Sequence, residues 1–96
     1  MYLKIYKNEG RRLVAACDEE LLGKTLKHGN AVVEISKAFY GEESVSEEEL
    51  QKALEEAMTA NLFGEKAIKC AIKCGIIDPD SVIMIDGVPH AQVFRV

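Results

Sequence analysis

The chain opens on Tyr2-Leu3-Lys4-Ile5-Tyr6, whose aromatic and β-branched residues predict a strand. Lys7 to Arg11 then turns, with Gly10 free to take positive φ. Leu13-Val14-Ala15-Ala16-Cys17 is apolar on both faces, the pattern of a central strand covered on either side. Asp18 stands where an N-cap belongs, ahead of a short helix beginning at Glu19 and anchored by Leu21 and Leu22 before Gly23 weakens it. His28-Gly29-Asn30 reads as a turn into a third strand, Ala31 to Ile35.

Ser46-Glu47-Glu48-Glu49 is a capping box, and helical periodicity comes directly after it. Leu50, Ala53, Leu54, Ala57, Met58 and Asn61 fall within an arc of about 140° at helical spacing. Asn61 to Gly64 breaks or kinks this path, and a second helix runs to Cys74, with Gly75 as its C′ residue and Ile76 as the apolar contact of a Schellman close. Asp78-Pro79-Asp80 turns the chain into a strand from Val82 to Ile85. Asp86-Gly87 favours a type I′ hairpin turn, and Pro89 removes a ladder donor, so the segment after Pro89 should lie on a sheet edge or leave the sheet. Val93 to Val96 is the expected edge strand. The order β-β-α-β-α-α-β-β predicts an α+β two-layer sandwich, a mixed or mainly antiparallel sheet with a helix pair on one face.

Ninety-six residues predict one domain over 1–96. The longest uninterrupted apolar run, Leu13 to Cys17, is far too short to span a bilayer, and the charged opening segment is not a signal peptide. Three cysteines do not pair evenly, which points to thiols in a reducing, cytoplasmic setting. The net charge of −4 is unevenly spread: residues 1–40 carry +2, residues 41–60 carry −6, and residues 61–96 balance. The acidity belongs to one helix, so another face is free to meet nucleic acid although a whole-domain basic footprint is absent.

Gly23-Lys24-Thr25 resembles the end of a phosphate-binding loop, but that motif needs a glycine where this chain has Asp18, so no nucleotide loop is expected there. Cys70 and Cys74 lie four apart on a helix, but on the flank of the Ile68, Ala71, Ile72 stripe, so they are expected in the core without metal, and no cofactor is expected. Lys66, Lys69 and Lys73 line the opposite, solvated side of the same helix; Lys4, Arg11, Arg12, Lys24 and Lys27 would extend the stripe if the fold gathered them. No run of aromatic residues suited to base stacking accompanies it. The glutamates from Glu42 to Glu49 lack the spacing of a calcium loop, and capping accounts for several of them.

His90 is the titratable candidate. Catalysis would need a carboxylate to orient it, with Asp18, Glu65 or Asp86 available; an exposed or backbone-bonded histidine is the simpler reading. If a site exists, His90 and Gln92 are expected beside Asn61, Gly64 and Glu65.

Three stretches carry a family resemblance: Leu13-Val14-Ala15-Ala16-Cys17-Asp18-Glu19-Glu20-Leu21-Leu22-Gly23-Lys24, Ala60-Asn61-Leu62-Phe63-Gly64-Glu65 and Gly87-Val88-Pro89-His90-Ala91-Gln92. With the opening strand, they resemble small archaeal proteins of about a hundred residues classed as a domain of unknown function. The resemblance implies a cytoplasmic archaeal protein and a lean toward translation, with no activity to carry over. Arg95 and Val96 extend past the usual tail, and the paired cysteines are particular to this chain.

The expected function is therefore a small binding module for RNA or a ribonucleoprotein, with Lys24, Asn61, Gly64, Glu65, Lys66, Lys69, Lys73, His90 and Gln92 as contact candidates. The alternatives are a small hydrolase using His90 with Asp18 or Glu65, and a protein-interaction subunit docking through its acidic helix.

Overall fold

Two tight hairpins frame the main sheet. The first joins β1 (Tyr2–Asn8) to β2 (Arg11–Cys17) through Glu9 and Gly10, and the second joins β6 (Ile83–Ile85) to β7 (Val88–Phe94) through Asp86 and Gly87. All four turn residues have positive φ, 52° and 79° in the first and 51° and 77° in the second, as a type I′ turn requires. The computed structural model describes residues 1–95. Between the hairpins lie a 3-10 turn at Glu19–Leu21, β3 (Thr25–His28), β4 (Ala31–Glu34), α1 (Lys37–Tyr40), α2 (Glu47–Glu56), β5 (Thr59–Phe63), α3 (Glu65–Lys73) and a second 3-10 turn at Pro79–Ser81.

The main sheet runs β1-β2-β5-β7-β6, with β2 and β5 parallel and every other neighbour antiparallel; β3 and β4 form a separate two-stranded ribbon. The α+β architecture with a helix pair on one face thus holds. Strand alternation divides the core. Val14, Ala16, Ala60, Leu62, Ala91 and Val93 face the helices and pack on Leu50 and Leu54 of α2 and on Ala67, Ile68 and Ala71 of α3. The other face of the sheet carries Ala15, Cys17, Phe63 and Ile85, covered by Leu21, Leu26, Ile35 and Tyr40. The run from Val14 to Cys17 is wholly buried, in keeping with its apolar character on both sides.

The capping box is present: Glu49 N–H donates to Ser46 Oγ at 3.1 Å, and Ser46 N–H donates to Glu49 Oε1 at 3.2 Å. The Schellman close is also present, with Gly75 N–H on the Ile72 carbonyl at 3.0 Å and Ile76 N–H on the Ala71 carbonyl at 2.9 Å.

Other expectations need correction. Asn61 to Gly64 is no helix kink, because α2 stops at Glu56 and Thr59–Phe63 is the central strand. Ala60 and Leu62 point to the helices and Asn61 and Phe63 away, a period of two that supplants the helical arc through Ala57, Met58 and Asn61. The last strand is not an edge: β7 starts at Val88 and lies between β5 and β6. Pro89 is tolerated there because β5 ends at Phe63, opposite His90; one residue further on, the Pro89 carbonyl takes Gly64 N–H at 2.9 Å and no ladder donor is required. Thr25–His28 pairs with Ala31–Glu34, although Leu26 is its only buried side chain. Val96, the last residue of the expected edge strand, lies outside the described residues. No helix among the described residues is long and apolar enough to cross a membrane.

Candidate functional site

Helix α3 begins at Gly64, which has no side chain to cap it. The cap comes from another strand. Asp18, at the end of β2 and only 1% exposed, accepts Lys66 N–H on Oδ2 at 3.0 Å and Ala67 N–H on Oδ1 at 2.9 Å. A carboxylate there satisfies two orphan donors and opposes the positive end of the helix dipole. Gly64 is required by this closure: its φ is 108°, and a Cβ would lie 2.6 and 2.7 Å from the two Asp18 oxygens. The Asp18 side chain therefore caps α3, and the 3-10 turn after Asp18 receives no side-chain cap, contrary to the N-cap expected at that position. Asp18 N–H also binds the Phe63 carbonyl at 3.1 Å, so the ends of β2, β5 and the start of β7 meet at one corner. All three stretches that carry the family resemblance contribute to it.

His90 is 8% exposed and stacks on Phe63 with centroids 4.0 Å apart. Its Nδ1 lies 2.8 Å from the Leu62 carbonyl. A carbonyl only accepts, so Nδ1–H donates and Nε2 keeps the lone pair in the neutral ring. Burial lowers its pKa from the usual 6.5, and the Leu62 hydrogen bond opposes part of that shift. Neither Asp18 nor Glu65 makes a hydrogen bond to it among the described residues, and both Asp18 oxygens are engaged by α3. Among the described residues, the hydrogen bond between His90 and Asp18 or Glu65 that the hydrolase reading needs is absent.

Asn61 and Gln92 are direct cross-strand partners, so the adjacency expected of them is present. Tyr40 donates its hydroxyl to Asn61 Oδ1 at 2.7 Å, which leaves the Asn61 amide protons for other acceptors. Burial raises the Tyr40 pKa and keeps that hydroxyl protonated. Gly64 joins the same neighbourhood through Pro89, and Glu65 is exposed on the first turn of α3.

The lysines separate into groups. Lys66, Lys69 and Lys73 are exposed on α3 and line a recess of about 390 Å³ with Met1, Glu47 and Cys70. Lys73 sits 3.5 Å from Glu47. Lys27 belongs to the β3–β4 ribbon and Lys24 directly precedes it, on the other side of the sheet, and Lys4 donates to the Ala38 carbonyl at 2.9 Å. Lys7, Arg11 and Arg12 cluster at the far end of β1 and β2, where Arg12 pairs with Glu56. The single extended stripe is therefore absent: the strand length puts about 20 Å between the Met1 end and this one.

This far end also holds a feature that the sequence did not signal. Lys7, Arg11 and Arg12 flank a groove of about 560 Å³ lined also by Tyr6, Asn8, Glu9, Leu13, Phe39, Met58 and Thr59. Tyr6 and Phe39 stack at 5.4 Å, and the Tyr6 hydroxyl donates to the Phe39 carbonyl at 2.7 Å. Phe94, the cross-strand partner of Thr59, is 76% exposed on the same face. These rings are far apart in sequence, so no local run of aromatics revealed them.

Cys70 is buried, with its thiol pKa pushed up to about 11 by burial, and Cys17 is raised to about 12 for the same reason. Neither is a poised thiolate. No group of three or more His, Cys, Asp or Glu side chains suited to a metal ion occurs among the described residues.

Taken together, the mixed five-stranded sheet, the paired helices and the carboxylate-capped third helix define a small α+β protein. The family model described as "Protein of unknown function (DUF424)" matches residues 6–96, and the chain belongs to that family. A crystal structure described as an uncharacterized conserved protein from Methanopyrus kandleri is similar, with a TM-score of 0.81 and 28% identity over 99% of this chain and 93% of that one. No curated protein matches the chain.

Proposed function

We propose that the protein is a small RNA-binding module that meets a phosphate backbone through the exposed side of α3. The observation behind this reading is the trio Lys66, Lys69 and Lys73 around one recess, on a helix whose opposite side is locked into the core. Lys66 and Lys69 make no ion pair among the described residues, so their charge is directed to solvent. Such contacts position an RNA without reading its sequence. A ribonucleoprotein presents the same phosphates.

The test is a mobility shift on a structured RNA at several salt concentrations. Three phosphate contacts give a slope of log affinity against log salt of about −2 to −3. Lys66→Glu with Lys69→Glu should abolish the shift. Unchanged binding by the double variant, or no binding by the wild type in low salt, overturns the reading. Capture of a protein partner lost on charge reversal at Glu48, Glu55 and Glu56, with no RNA binding, would replace it with docking through α2.

A further inference from the structure

The groove at the far end of β1 and β2 combines features that α3 lacks. It is concave, and its volume of about 560 Å³ lies in the range of small-ligand sites. Leu13, Met58, Tyr6 and Phe39 offer apolar and aromatic surface, while Lys7 and Arg11 stand at its margin without an ion pair among the described residues. Arg12 is held by Glu56, so the free cations belong to the β1–β2 turn. Thr59 brings a hydroxyl, and Phe94 stands beside it across the β5–β7 ladder. The walls are fixed: the Tyr6 hydroxyl binds α1 carbonyls, and Glu9-Gly10 forms a tight turn between Lys7 and Arg11.

We infer that this groove binds a nucleotide unit, with the flat base against the Tyr6–Phe39 side and the phosphate on Arg11. A base has a π-face that stacks on aromatic rings whatever its identity, and a guanidinium suits phosphate bidentately. Neither a phosphate without a ring nor a neutral apolar molecule matches both halves of the groove. The same chemistry is offered by a free mononucleotide and by an unpaired nucleotide of an RNA strand. The inference is independent of the α3 reading, because the two surfaces share no residue.

The test uses the full chain and four probes: AMP, adenosine, ribose 5-phosphate and a hexaadenylate RNA, with binding followed by calorimetry in low salt. AMP should bind more tightly than adenosine or ribose 5-phosphate, by about fivefold or more. Arg11→Glu should weaken AMP by about tenfold or more and Arg11→Lys by less, since Arg11 is an exposed turn-flanking residue whose replacement leaves the core intact. Phe94→Ala, at an exposed position, should weaken hexaadenylate more than AMP if the strand continues along β7. Lys66→Glu with Lys69→Glu should leave AMP affinity unchanged, so failure of the α3 reading and failure of this one are separable. Hexaadenylate displacing AMP identifies the strand as source, and AMP binding without displacement identifies the free nucleotide. The inference is overturned if ribose 5-phosphate binds as well as AMP, if Arg11→Glu binds AMP as the wild type does, or if AMP does not bind at millimolar concentration.

Discussion

Lys66, Lys69 and Lys73 ride on a helix whose first turn is closed by a buried carboxylate from β2, whereas Lys7 and Arg11 flank a hollow walled by side chains from β1, β2, β5 and α1. The first surface has acidic neighbours, Glu47 beside Lys73 and Glu65 at the helix start, and no aromatic residue lines its recess. The second also has an acidic residue in its lining, Glu9, but it has two stacked rings, Tyr6 and Phe39. On the two proposals, equal sign of charge carries different chemistry: one surface would meet a backbone of phosphates, the other a phosphate joined to a flat ring.

The two regions also differ in what holds them, and this difference can be broken selectively. The largest effect is expected at the α3 clamp. Gly64→Ala forces a β-carbon against Asp18 at a φ of 108°, and should lower unfolding free energy by about 4 kcal/mol. Asp18→Ala leaves two N–H groups without a cap and should lose about 2 kcal/mol. Urea denaturation measures both; a change below about 0.5 kcal/mol in either would mean that the clamp is not a stabilising feature. At the groove, Tyr6→Phe removes the hydroxyl that ties β1 to α1 and should lose about 1 kcal/mol, with nucleotide affinity falling as the wall loosens. No loss of stability would show that the hydroxyl tie does not hold the wall.

A smaller effect distinguishes the corner by pH. His90 is held with its pKa below the usual 6.5, so in the window between those values the unfolded chain binds more protons than the folded one. Its contribution to stability is complete above pH 6.5 and is lost as pH falls through the folded-state pKa. The difference in urea midpoint between pH 7 and about pH 5 should shrink in His90→Gln. An identical pH dependence in the two proteins would mean that burial of the ring does not govern its protonation.

Much of the fold was legible because its signals are local. Ser46 with Glu49, Asp86 with Gly87 and Gly75 with Ile76 each form a motif within a few residues, and each is present in the structure. β5 was hidden because Ala57, Met58 and Asn61 continue a helical arc, with no glycine or proline to mark where α2 stops. The chain instead turns extended at Ala57, and burial of Ala60 and Leu62 against the helices decides the matter. Asp18 was visible as a cap, but not as the cap of a helix 48 residues away, since that partnership exists only in three dimensions. The same holds for Tyr6 and Phe39, whose rings meet only after β1 and α1 are placed.

The most direct measurement is a two-dimensional amide NMR titration of the full chain, first with AMP and then with a hexaadenylate RNA. AMP should shift Tyr6, Arg11, Leu13 and Thr59 and leave Lys66, Lys69 and Lys73 unmoved, and the RNA should then shift the α3 lysines as well. Shifts on α3 with AMP while the groove stays silent would contradict the division of chemistry between the two basic surfaces.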